Sequence, residues 1–159
     1  MVNSKGPVLA IIPARGGSKG LPGKNIRLLG RHPLIAYSVA SCLAAHSIDR
    51  VIVSTDNQEI ADVACAYGAE APFMRPAELA TDMSPDLPLF THALEWLQKH
   101  EGYEPSILVQ VRPTTPFRPH GLLDQSVQLL QSDARADSVR AVTRPNPVSY
   151  THLTLPTKA

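Results

Sequence analysis

The sequence predicts an α/β fold in which one mainly parallel sheet carries helices on both faces. Three observations predict it. Short apolar runs rich in branched residues alternate about four times with segments of helical period. The first of these runs is apolar throughout, as a strand covered on both faces requires. The chain has 159 residues, 43% of them hydrophobic and 18% charged, which suits one globular domain with a substantial core. These proportions exclude a disordered tail, a collagen-like fibre and a disulfide-dense miniprotein.

In chain order, Val8 to Ile12 is the continuous apolar run. The ten residues from Arg15 to Lys24 fit neither strand nor helix. Pro33 has the fixed φ that suits a first helical turn, and Ile35, Val39 and Cys42 then recur at helical spacing. Arg50 to Thr55 is a second strand. Asp56 with Glu59 forms a capping pattern for the next helix, whose Ile60, Val63, Ala64 and Tyr67 share a face and which Gly68 ends. Glu70 to Phe73 is expected to be a short strand. A proline-rich passage from Pro72 to Pro88 leads into a helix marked by Phe90, Ala93, Leu94 and Leu97 and closed by Gly102. Ser106 to Val111 is strand-like, Leu123, Val127 and Leu130 mark a fourth helix, and Ser138 to Val142 is expected to be a weak strand. Fifteen prolines, about double the usual ~5% share, give the domain many short, stiff connections.

In an open parallel sheet, ligands bind beyond the carboxyl ends of the strands. Three unusual segments follow strands: the loop from Arg15, the turn Ser54-Thr55-Asp56, and Arg112 to Arg118. They are candidates for one shared site. The formal charge of +1 hides an asymmetry that points the same way. No acid occurs from Met1 to Ile48, where six basic residues lie, whereas the remainder carries 9 basic and 14 acidic residues. A local anionic partner is implied rather than a nucleic-acid surface.

Within the loop, Gly17, Gly20 and Gly23 recur every third residue among Arg15, Lys19 and Lys24. Glycines so spaced let successive N–H groups face one anion, and the cations suit a di- or triphosphate. Composition alone also fits a solvated surface loop. Two familiar phosphate loops fail the test of spacing. Five residues separate Gly17 from Gly23 and Asn25 replaces the P-loop hydroxyl, while Arg15 occupies the first glycine of the dinucleotide fingerprint.

The order of residues is more specific. Ile11-Ile-Pro-Ala-Arg-Gly-Gly-Ser-Lys-Gly-Leu-Pro-Gly-Lys-Asn25 resembles the nucleotide-binding signature of the acylneuraminate cytidylyltransferases, the CMP-sialic acid synthetases. Pro33 to Ser38, Val51 to Asp56, Arg75 to Asp82 and Arg112 to Arg118 agree in order, and the likeness covers roughly Pro7 to Arg144. The resemblance implies a Rossmann-like fold and transfer of CMP from CTP to a nine-carbon 2-keto acid sugar, with release of pyrophosphate. It puts Arg15 and Lys24 at the phosphates as catalytic residues and Asn25 at a nucleotide-binding position, with Ser18 and Lys19 in the same motif. Gly17 and Gly20 complete the expected nucleotide-binding set. Arg75 matches an arginine near the cytosine, where its donors would meet the acceptors of the pyrimidine edge. Arg112 stands where some members have a glutamine facing the sugar, and its fork suits a sugar carboxylate.

The resemblance also implies Mg²⁺ and, for the full-length family, a homodimer. Family members run well beyond 200 residues, and their magnesium-holding aspartates lie in the later part. No metal ligand is therefore assigned in this chain. Residues 1–144 are expected to be an incomplete cytidylyltransferase-like domain and 145–159 an irregular tail that reads as foreign sequence. A nucleotide-binding fragment without catalysis is the alternative reading.

The remaining residues carry ordinary expectations. Asp56 is taken as a helix cap rather than a ribose or metal contact. Cys42 and Cys65 are taken as buried free thiols, the six histidines as solvated or packing residues, and Trp96 as a packing residue. Thr114 and Thr115 suit either a ligand or their own turn. No run approaches the ~20 apolar residues of a membrane span and Met1 to Gly6 is unlike a secretory signal, so the expected address is the cytoplasm.

Overall fold

The computed structural model describes residues 6–81 and 83–142. Its centre is a parallel three-stranded sheet of β1 (Val8–Pro13), β4 (Arg50–Ser54) and β5 (Ile107–Gln110), in the order β4-β1-β5. Two-residue strands β2 (Leu28–Leu29) and β3 (His32–Pro33) form a separate antiparallel pair around Gly30, whose φ of 65° makes the turn. The helices are α1 (Leu34–Leu43), α2 (Gln58–Ala66), α3 (Asp86–Glu101) and α4 (Leu122–Ser132).

Side chains of β1 alternate between two cores. Ala10 and Ile12 face Ile35, Val39 and Cys42 of α1 and Ile60 and Ala64 of α2. Leu9 and Ile11 face Leu89, Ala93 and Leu97 of α3. α4 covers the end of β5 through Val127, packed with Val8 and Ile107. Burying a Leu or Ile side chain contributes about 1.5–3 kcal/mol, so a central strand inaccessible at Leu9, Ala10, Ile11 and Ile12 fixes the layers. No helix among the described residues is long and apolar enough to cross a membrane.

Glycine stops lie where the pattern places them, with Gly68 at φ 97° after α2 and Gly102 at φ 64° after α3. Four expectations are corrected. Glu70 to Phe73 is not a strand: Glu70 makes a single parallel bridge to Ile52, and Pro72 has no N–H to extend it. Ser138 to Val142 forms no strand. The N-cap of α2 is Asn57, whose Oδ1 accepts from the Ile60 N–H at 3.0 Å, and not Asp56. Cys42 is buried as expected, but Cys65 is exposed. The tail 145–159 lies outside the described residues.

Candidate active site

Strand register decides what meets at the carboxyl end of the sheet. Pro13 pairs with Ser54, and the Ala14 N–H continues the ladder onto the Ser54 carbonyl at 3.0 Å. The next residues of both chains therefore run side by side. The Gly16 N–H donates to Asp56 Oδ1 at 2.8 Å, and the Gly16 carbonyl accepts from the Ser18 N–H at 2.9 Å. A Cβ on Gly16 would lie 2.9 Å from Asn57 Cβ, so glycine is required for this approach. Asp56 thus ties the cationic loop to β4 instead of capping a helix. Gly16 was not singled out in the sequence and Asp56 was read there as a cap, because their contact spans 40 positions.

Farther along the loop, Gly23 adopts φ 64° and introduces a 3₁₀ turn, Lys24–Ile26. Buried Asn25 donates from Nδ2 to the Arg15 carbonyl at 2.9 Å, closing the loop on itself. Gly17 and Gly20 do not have positive φ, and a Cβ at either would meet nothing within 4 Å. Their identity is not fixed by backbone geometry here.

A cavity of about 290 Å³ opens beyond the strands, lined among others by Arg15, Ser18, Lys24, Asn25, Arg75 and Arg112. Six of the nine residues singled out in the sequence are thereby gathered at one place, whereas Gly17, Lys19 and Gly20 are not on its wall. Thr114 also lines it.

Arg75 lines the cavity although it is almost inaccessible. Its Nε donates to Ser54 Oγ at 3.1 Å, its Nη2 donates to the Ser54 carbonyl, and its own N–H donates to the Thr55 carbonyl at 2.7 Å. Burial pulls its pKa down to about 10; Asp56 and Asp86 oppose the fall and Arg15 reinforces it. Such a guanidinium is anchored on one edge by β4, and its lowered pKa comes first from burial and only then from the like charge of Arg15.

Asp86 was not assigned a role from sequence, yet it lines the cavity at the first position of α3. Its Oδ2 accepts from Gln110 Nε2 at 3.0 Å and is ion-paired to Arg112 Nη2. The Arg112 carbonyl accepts from Ser38 Oγ at 3.3 Å and from Arg118 Nη2. Arg118 also donates to Ser38 Oγ at 3.2 Å, so the Arg112–Arg118 segment is clamped onto α1. Among the described residues, no group of three or more His, Cys, Asp or Glu is placed to hold a metal ion, and Asp86 is engaged by two donors. This donor set does not fit a metal ion held by the chain's own side chains.

Residues 9–154 match the family model described as Cytidylyltransferase. The chain belongs to the cytidylyltransferase family. A CMP-N,N'-diacetyllegionaminic acid synthase of Legionella pneumophila subsp. pneumophila is 42% identical over 122 residues, which are 77% of this chain and 52% of that relative. An N-acylneuraminate cytidylyltransferase of Escherichia coli O18:K1:H7 is 39% identical over 139 residues, covering 87% of this chain and 32% of that protein. Among solved structures, a CMP:2-keto-3-deoxy-manno-octonic acid synthetase complexed with CTP superposes with a TM-score of 0.66 at 23% identity, over 80% of this chain and 48% of that one. That likeness shows the Rossmann-like cytidylyltransferase fold. The chain spans about half or less of the length of these relatives. The cavity lies where an open parallel sheet takes its ligands.

Proposed function

We propose that the chain is the nucleotide-binding part of a cytoplasmic enzyme that transfers CMP from CTP to an N-acylneuraminate or a related nine-carbon 2-keto acid sugar, releasing pyrophosphate. The observation that carries this reading is the convergence of Arg15, Lys24, Arg75 and Arg112 on one cavity of about 290 Å³ at the carboxyl end of a parallel sheet. A cavity so lined suits a polyphosphate with an acidic partner. Family membership and the names of the relatives support the choice of CTP and of an acidic sugar.

On this reading Arg15 and Lys24 hold the β- and γ-phosphates. Attack of the sugar hydroxyl on the α-phosphorus forms one P–O bond and breaks another, moving negative charge onto the departing pyrophosphate. Fixed cations stabilise that charge more than they stabilise bound CTP, so they act on turnover as well as on binding. Arg75 faces the base and Arg112 the sugar carboxylate. A divalent ion would add charge neutralisation at the phosphates, but the described side chains do not supply its ligands, and no step is assigned to it here.

Calorimetric titration with CTP, UTP, ATP and GTP tests the reading. CTP should bind at least tenfold more tightly than the others, and Arg15→Ala/Lys24→Ala should abolish the binding; equal affinity for all four nucleotides would defeat the cytidylyl assignment. The engagement of Asp86 by Arg112 and Gln110 favours a second reading, a nucleotide-binding unit without catalysis. Pyrophosphate release in the presence of magnesium separates the two.

A further inference from the structure

Asp86 and Arg112 line two spaces at once. They border the cavity of about 290 Å³ and also the adjoining open groove of about 860 Å³ along β5 and α4. Their ion pair therefore stands in the wall between the two. Among the described residues on the wall of the smaller space, Asp86 is the one acid facing Arg15, Lys24, Arg75 and Arg112. The pair is open to solvent, with 57% of the Arg112 side chain and 44% of the Asp86 side chain accessible. The two ends are held unequally. The Arg112 backbone is clamped by Ser38 and Arg118, while the Asp86 carboxylate sits in the first turn of α3 and receives Gln110 Nε2 at 3.0 Å.

We infer that Asp86 is a specificity-determining residue: its carboxylate occupies Arg112 as an internal stand-in that an acidic sugar must displace to dock between nucleotide and groove. The inference rests on the proposed role of Arg112 toward a sugar carboxylate. A guanidinium fork binds one carboxylate well, so the two acids compete for it. Exposed ion pairs are weak, shifting an equilibrium by roughly two- to fivefold, so the exchange is easy for a carboxylate and has no counterpart for a neutral sugar. Asp86 keeps helix-dipole and Gln110 interactions after release, which leaves it somewhere to go. The device sets a threshold: a ligand without an acid group leaves the pair closed.

The test is calorimetric binding of N-acetylneuraminic acid and of its C1 carboxamide to the chain with CTP at saturation and EDTA present to prevent turnover. The parent should prefer the acid, and Asp86→Asn should raise the acid-over-amide preference about fivefold by removing the competitor. Asp86→Ser runs in parallel so that the ratio is read on two proteins with cooperative unfolding. A merely structural role in the first turn of α3 would lower thermal stability and leave the ratio unmoved. An unchanged or smaller ratio in both variants, with the parent still binding the acid, overturns this inference and spares the sugar reading. Binding of neither sugar by any of the three proteins overturns both.

Discussion

Replacing Asp56 by alanine removes the carboxylate that ties the Gly16 N–H of the cationic loop to the end of β4. The Gly16 N–H loses a carboxylate acceptor at 2.8 Å. A hydrogen bond to a charged group contributes about 1.5–3 kcal/mol. An opposing effect is present, since losing a negative charge beside the cavity favours an anionic ligand. Across several ångströms of screened solvent that gain stays below about 1 kcal/mol, so the lost anchor wins. The carboxylate also supports the proton on Arg75, which adds to the loss. The net is about 1–2 kcal/mol, or roughly 5- to 30-fold weaker CTP binding. A fall in Tm of a few degrees should accompany it.

Calorimetry with CTP and a thermal melt check both effects. Asp56→Asn keeps a neutral acceptor in place and should recover at least half of the lost binding energy. Were Asp56→Ala to bind CTP within twofold of the parent with an unchanged melt, the loop would be held by something else and the anchoring role would be refuted.

Further predictions concern single positions. Gly16→Ala should cost at least 1 kcal/mol in urea unfolding because its Cβ would lie 2.9 Å from Asn57 Cβ, whereas Gly17→Ala should be neutral in stability. Cys65 should react with a thiol reagent in the folded protein and Cys42 should not, as mass spectrometry of the labelled chain would show. Burial raises the Cys42 pKa from 9.0 to about 12, Arg118 opposing. Its contribution to stability is therefore full below pH 9 and is lost as pH rises toward 12, with a slope approaching 1.4 kcal/mol per pH unit that should be shallower in Cys42→Ala unfolded by urea from pH 8 to 11.

The layered fold was legible because its signals are local. Apolar runs gave β1, β4 and β5, helical spacing gave the four helices, and Gly68 and Gly102 ended two of them as glycines with positive φ do. Where a local signal was weak, tertiary context decided. Glu70 offers one bridge and then meets Phe73, which turns into the α3-facing core. The motif residues were found, but the reason for some of them was misread. Spacing suggested that Gly17, Gly20 and Gly23 curl the loop; of these geometry demands Gly23, for its φ, and it also demands Gly16, for a close approach. Asp56 looked like a cap because Glu59 follows at the right interval; the cap moved to Asn57 since Gly16 claims Asp56 from 40 positions away. A parallel register fixed at Pro13 and Ser54 is what makes that claim, and no local pattern encodes it.

Gathering four cations in so small a space works against folding unless each is held by something other than its neighbours. The structure uses a different device for each one whose partners are seen. Arg75 spends two donors on Ser54, which lets it stay nearly inaccessible at a lowered pKa. Arg112 is clamped through its carbonyl and answered by Asp86. The Arg15 backbone is pinned by Asn25. Anchoring that is in place before a ligand arrives lowers the ordering cost that binding must meet. The carboxylates that balance them, Asp56 beneath the loop and Asp86 on the wall, are accordingly as much a part of the site as the cations. They set how much positive potential the cavity carries and in which direction an incoming acid must push.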